Sequence, residues 1–161
     1  MISNYKYAEK LITDTLLTHT CKELNKAMGY SGDIASNVRR RIYKGGYIPR
    51  LSTIEKYAEF NGMSIADAFV NPSIKPNRDL RNYNIKYLGR NLKRLRKKIG
   101  ISTNDLTLDV GVNSGTIYQI ESGRCLCNPI LLQDIADYTG IEIIDFFKPI
   151  EGSDASETKK A

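Results

Sequence analysis

Ser114, Gly115, Tyr118 and Gln119 fall in the stretch SGTIYQIE, whose outward residues suit hydrogen bonding to base edges. A glutamine amide offers a donor and an acceptor together and can pair bidentately with adenine, at about 1–3 kcal/mol of discrimination. Judged by phase against Ile117 and Ile120, these four residues point outward while the isoleucines point inward. A second group, Ser36, Asn37, Arg40 and Arg41, is expected on the outer side of a helix over 34–43 that hides Ile34, Val38 and Ile42, with Arg39 on its flank. Arginine pairs bidentately with guanine but also serves any phosphate, so three in a row signal affinity more securely than specificity. Arg39 and Lys44 are expected phosphate contacts there.

Other chemistries lack their parts. His19 is the single histidine, and although Cys21 is near in sequence, no G-x-S-x-G, P-loop or H-E-x-x-H context accompanies either residue. Carboxylates are scattered, with no pairing suited to acid–base catalysis. Cys21, Cys125 and Cys127 form no C-x-x-C pair, so a structural zinc site lacks ligands at the usual spacing, and reduced, unpaired thiols are expected. The reading is therefore no enzyme, no metal and no cofactor. The first ten residues, MISNYKYAEK, are polar, and no run approaches the ~20 apolar residues of a membrane span, which predicts a cytoplasmic protein in a bacterial cell or phage-infected host.

Charge is unevenly spread. The net charge of +6 divides into +3 over residues 1–72, +9 over 73–100 and −6 over 101–161. A strongly basic middle stretch suits contact with phosphates, which supply most nonspecific nucleic-acid affinity.

These side chains need elements to hold them. Over 103–110, Leu106 and Val110 lie one turn apart and Gly111 follows, the residue type that ends helices at positive φ. Asn113 then serves as N-cap of a second short helix, buried through Ile117 and Ile120 and stopped by Gly123. Two helices joined by a short glycine-containing turn form a helix-turn-helix, whose second helix can enter the major groove. Before it, Ile85, Leu88, Leu92, Leu95 and Ile99 mark the buried stripe of a helix whose other positions carry Arg90, Lys93, Arg94, Lys97 and Lys98.

With LGRNLKRLRKKIG at 88–100 and NPILLQDIADYTGIEIIDFF at 128–147, this region resembles the Cro-like (Xre) phage-repressor family along a complete five-helix domain. The resemblance implies that Thr103 contacts a phosphate at a helix start, which exposed helix N-terminal amides make physically sensible. It also implies that Arg124 holds the neighbouring backbone, with Asn113 expected beside it at a phosphate. Finally, it implies that Arg96 and Glu121 form a structural ion pair orienting the recognition helix.

The first half reads as a divergent copy. Residues 5–17 carry Ala8, Leu11, Ile12, Thr15 and Leu16 at helical spacing, Thr20 can cap a short helix containing Leu24 and Met28, and Gly29 closes it. Leu24 matches Leu106 at an offset of 82, whereas Gly45, Ile54, Ala58, Gly62 and Phe69 match Gly123, Leu132, Ala136, Gly140 and Phe147 at 78. Four extra residues are thus expected in the first half, around Ser31 to Ala35. Asp14 and Tyr43 stand where Arg96 and Glu121 would be, so the ion pair is expected to be missing. The expected fold is all-α, two tandem five-helix lambda-repressor-like helix-turn-helix domains at 1–72 and 85–149, with a Pro-containing linker at 73–84 and a flexible tail at 150–161.

The function this predicts is a sequence-specific double-stranded DNA-binding transcriptional regulator, a repressor of a phage or mobile-element operon. Two arrangements stay open: both domains of one chain in successive major grooves, or a homodimer. A protein-interaction module on the same scaffold, such as an antitoxin or a phage-encoded inhibitor of a host protein, is the alternative, with a nonspecific binder using the basic stretch alone as a third reading.

Overall fold

Polar side chains fix where the helices begin. Asn4 accepts the Lys6 amide at 2.9 Å and opens α1 (Tyr5–Thr18), and a reciprocal Thr20–Glu23 capping box opens α2 (Cys21–Ala27). The computed structural model describes residues 3–74 and 79–150. Within them follow α3 (Ile34–Lys44), α4 (Leu51–Phe60) and α5 (Ile65–Phe69). A 3-10 turn at Ile85–Tyr87 then runs into α6 (Leu88–Lys98), followed by α7 (Thr103–Val110), α8 (Ser114–Glu121), α9 (Pro129–Thr139) and a final 3-10 segment, Ile143–Phe147. The fold is all-α, as the periodicity predicts; among the described residues the single β-type contact is a bridge from Ser3 to Val70. Residues 75–78 of the expected linker and the expected flexible tail from 151 onward lie outside the described residues.

The two halves repeat one construction. Asn84 caps its helix as Asn4 does, accepting the Lys86 amide at 2.9 Å. The Asn4 amide donates to the Phe69 carbonyl at 2.7 Å and the Asn84 amide to the Phe147 carbonyl at 2.9 Å, so each half closes its first helix onto its last segment. The first helices therefore correspond at an offset of 80, the second helices at 82 and the fourth and fifth segments at 78.

The halves also share a core. Phe69 and Phe147, both fully buried, meet with ring centroids 5.6 Å apart. Burying each is worth about 1.5–3 kcal/mol, and an offset aromatic pair adds about 0.5–1.5 kcal/mol. Around them the contacts are reciprocal: the Tyr5 amide donates to Gln133 Oε1 at 2.9 Å, and the Ile85 amide donates to the Glu55 carboxylate. Leu80 and Tyr83, within the stretch whose composition suggests a linker, are buried in the same core. These two residues, three positions apart, anchor the end of that connection in the core.

Two sequence expectations are corrected in the first half. The inward face of α3 is Ala35, Val38 and half-buried Ile42, while Ile34 is 36 % exposed. The extra residues also do not lie around Ser31 to Ala35. Ala35 and Val38 keep the offset of 82 from Ile117 and Ile120, and the shift to 78 comes afterwards, because α3 continues to Lys44 where α8 stops at Glu121. The insertion lengthens the back of the helix.

Candidate nucleic-acid interface

The segment 102–121 is built for a sharp turn. Ser102 and Asp105 form a capping box at the start of α7, and Gly111 ends it at φ 69°, a left-handed conformation that residues with a Cβ adopt at a cost. Asn113 then caps α8, its Oδ1 accepting the Thr116 amide at 2.8 Å and the Thr116 hydroxyl at 3.2 Å. Ile117 and Ile120 are fully buried, which leaves Ser114, Gly115, Tyr118 and Gln119 along the exposed edge, Tyr118 at 58 %. Arg124, just past the helix, places its guanidinium 5.8 Å over the Tyr118 ring while its amide donates to the Gln119 carbonyl at 2.9 Å. A cation thus stands at one end of the uncovered edge. Thr103 sits half-buried at the first position of α7.

Two devices hold α8 in place. Arg96 of α6 meets Glu121 in a two-pronged contact, Nε to Oε1 at 2.6 Å and Nη2 to Oε2 at 3.1 Å, with side chains only 8 % and 6 % exposed. Its Nη1 also donates to the Ile101 carbonyl at 2.8 Å. Hydrogen bonding to Glu121 makes the Arg96 guanidinium hold its proton more tightly than usual, against the burial that opposes charge. The second device is Gly89: a Cβ there would lie 2.2 Å from the Ile120 carbonyl oxygen, so α6 lies against the end of α8 backbone to backbone. The rest of α6 turns Arg90, Lys93, Arg94, Lys97 and Lys98 to solvent.

No protein-family model, curated protein or solved structure matches the chain.

In the first half the outer edge of α3 is basic. Asn37, Arg40, Arg41 and Lys44 are exposed; Arg40 donates to Asn37 Oδ1 at 3.0 Å and the Arg41 guanidinium lies 5.6 Å over the Tyr47 ring. Ser36 is half-buried, its hydroxyl donating to Asp33 Oδ1 at 2.5 Å, which engages it in the start of its own helix. That start is further capped from outside, since Asn25 of α2 accepts the Ala35 amide at 2.8 Å.

Arg39 corrects the expectation that it flanks the helix as a phosphate contact. It turns inward, and its Nη2 donates to the Leu16 carbonyl and, at 3.0 Å, to the His19 carbonyl. The equivalences expected at Asp14 and Tyr43 are also corrected, both being exposed. By the matched caps Leu16 occupies the place of Arg96 and Arg39 that of Glu121, a register hidden by the shorter turn around His19. The signal was present in the paired Asn4 and Asn84, whose offset of 80 differs from that of the second helices.

The remaining reactive residue types have structural surroundings. His19 packs edge-on against Phe60 at 4.9 Å between centroids, and its Nδ1 lies 2.9 Å from the Thr18 hydroxyl. Cys21 and Cys125 are half-buried, while Cys127 is buried and its thiol pushed up to about 12 by burial, leaving it protonated at neutral pH. Among the described residues no group of histidine, cysteine and acidic side chains could hold a metal ion, and no helix is long and apolar enough to cross a membrane.

Proposed function

We propose that this chain is a sequence-specific double-stranded DNA-binding transcriptional regulator, a repressor of a phage or mobile-element operon acting in the bacterial or phage-infected cytoplasm. The observation that carries the reading is α8: its apolar side is clamped by Ile117, Ile120 and Glu121, while Ser114, Gly115, Tyr118 and Gln119 stay uncovered beside Arg124. A rigid, capped helix with a polar edge of this kind fits a major groove, and its amide and hydroxyl groups match the donor and acceptor pattern there. The basic outer edges of α3 and α6 supply phosphate attraction. Likeness of residues 88–147 to Cro-like repressors supports the regulatory role.

Selection from a random duplex pool tests the reading. An enriched motif is expected, and Gln119→Ala should weaken binding to that motif about tenfold while leaving random duplex nearly unchanged. Equal losses on both would remove Gln119 as a base reader. Absence of any binding at moderate salt would remove DNA as the partner.

A further inference from the structure

The two halves are joined as the subunits of a symmetric dimer are joined. In an isologous contact, residue i of one subunit meets j of the other and j meets i. Here the first residue of each opening helix, Tyr5 or Ile85, donates its amide to a side chain on the fourth helix of the other half, Gln133 or Glu55. On the axis between them Phe69 meets Phe147, its own counterpart. The segments after the two third helices also face each other, 48–52 and 126–129 together lining one cavity of about 530 Å3.

Elements related by a twofold axis lie at the same height along it. α3 and α8 directly precede the two facing segments, so a twofold relating those segments would set both helices at one end of its axis with their outer edges on the same side. The surface between them is continuous. Asn37 and Arg41 of α3 share a cavity of about 570 Å3 with Ile48 and Arg50, and those last two residues also line the axial cavity with Leu126 and Asn128. Arg41 and Arg50 stand on the α3 side of this surface and Arg124 comes two residues before Leu126.

From this geometry we infer that one chain is a complete two-headed reader of a single duplex segment carrying two dissimilar half-sites. The inference rests on the DNA-binding reading above. Successive major grooves on one face of B-DNA are about 34 Å apart, and their local dyad matches an intramolecular twofold as well as it matches a dimer. The fully buried Phe69–Phe147 surface, through which two identical domains would pair, is already occupied within the chain. The heads differ in chemistry: α8 offers Tyr118 and Gln119 and no basic residue of its own, whereas α3 offers Asn37, Arg40, Arg41 and Lys44. One half-site is therefore read mainly through neutral hydrogen bonding. The other is held through guanidinium groups and carries more of the salt dependence.

The test uses the full chain and the duplex recovered by selection, with the mass of the complex measured by sedimentation or native mass spectrometry. The expected result is one chain on a motif made of two unlike half-sites. Gln119→Ala should relax the base preference in one half-site, and Arg40→Ala with Arg41→Ala should relax it in the other and flatten the salt slope. Two chains on a palindrome, or a motif holding one half-site only, would overturn the inference while leaving DNA binding intact. Failure of the unaltered chain to bind any duplex would overturn both.

Discussion

Each half of the molecule turns one guanidinium inward to hold the carbonyl just before its second helix, but the arginine comes from opposite sides of the joint. In the second half Arg96 reaches from α6 to the Ile101 carbonyl and to Glu121 of α8. In the first half Arg39 reaches back from α3, at the place of Glu121, to the His19 carbonyl at the place of Ile101 and to the Leu16 carbonyl at the place of Arg96. What the halves share is an inward-turned guanidinium tying first helix, turn and third helix together, buried at Arg96 and half-buried at Arg39, and the chain meets that need in two ways. The difference lies in the counter-charge. Glu121 neutralises Arg96, whereas Arg39 faces only the carbonyls at the end of α1, the negative end of its helix dipole, and its Nε is buried with no hydrogen-bond partner. The joint holding α8 is thus a closed ion pair, and the joint holding α3 is a cation held by carbonyls with no counter-charge.

Unequal losses on truncation should follow. Arg96→Ala leaves the Glu121 carboxylate buried and unpaired, an expected cost of about 3–5 kcal/mol. Arg39→Ala removes charge-assisted bonds to carbonyls without stranding a charge, at about 1.5–3 kcal/mol. Urea midpoints at constant slope measure both. Equal losses would mean that the counter-charge does not separate the halves. Replacing Arg96 and Glu121 together by Met and Leu sharpens the point, because removing both charges should recover most of the single-variant loss.

Helix approach gives the second contrast. Gly89 brings α6 backbone to backbone with α8, while Glu9, its counterpart at the offset of 80, is exposed on α1. Gly89→Ala drives a methyl group into the Ile120 carbonyl, which cannot swing away, so a loss of about 1–3 kcal/mol and weaker binding to the selected duplex are expected. Glu9→Ala should stay within about 0.5 kcal/mol. A neutral Gly89→Ala would show that α6 can slide without moving α8.

Much of this was legible before any coordinates. Thr20, Asn113, Gly29 and Gly111 mark helix ends by local chemistry, and local chemistry survives folding: both caps form and both glycines take positive φ. The outward phase of Tyr118 and Gln119 followed from the two isoleucines. The Arg96–Glu121 contact was reached through family likeness, since nothing in local spacing links residues 25 positions apart. The inward turn of Arg39 was not legible, because in a run of three arginines only the helix phase decides which one turns inward, and Ile34 suggested a phase one residue early. Ala35, small enough to sit at the contact with α2, sets it instead. Leu80 and Tyr83 were hidden by a polar, proline-containing context whose composition says loop. Reciprocal contacts between the halves could not be read at all, since a polar side chain such as Gln133 looks the same whether it meets water or a neighbouring amide.

That last kind of residue supplies the finest contrast. Gln133 and Glu55 occupy matching places and each accepts the leading amide of the other half's opening helix, one as a neutral amide and one as a carboxylate. Burial raises the Glu55 carboxyl above the usual range, the Ile85 amide opposes this by favouring the ionised form, and nearby Glu59 adds to the rise. A carboxyl whose folded pKa exceeds its unfolded value stabilises the fold fully below the unfolded value, and that contribution is lost as pH rises through the folded one. Glu55→Gln keeps an acceptor oxygen and removes the titration. Relative to the unaltered chain it should gain stability as pH rises from acid toward neutral, with equal stability at the acid end. Urea titrations of both proteins at matched pH read the difference directly, and Gln133→Glu should create the same pH step on the other side of the axis. If the two stability curves stay parallel at every pH, the carboxylate side of the junction is as well solvated as an exposed glutamate, and the chemical asymmetry between the halves is confined to their arginines.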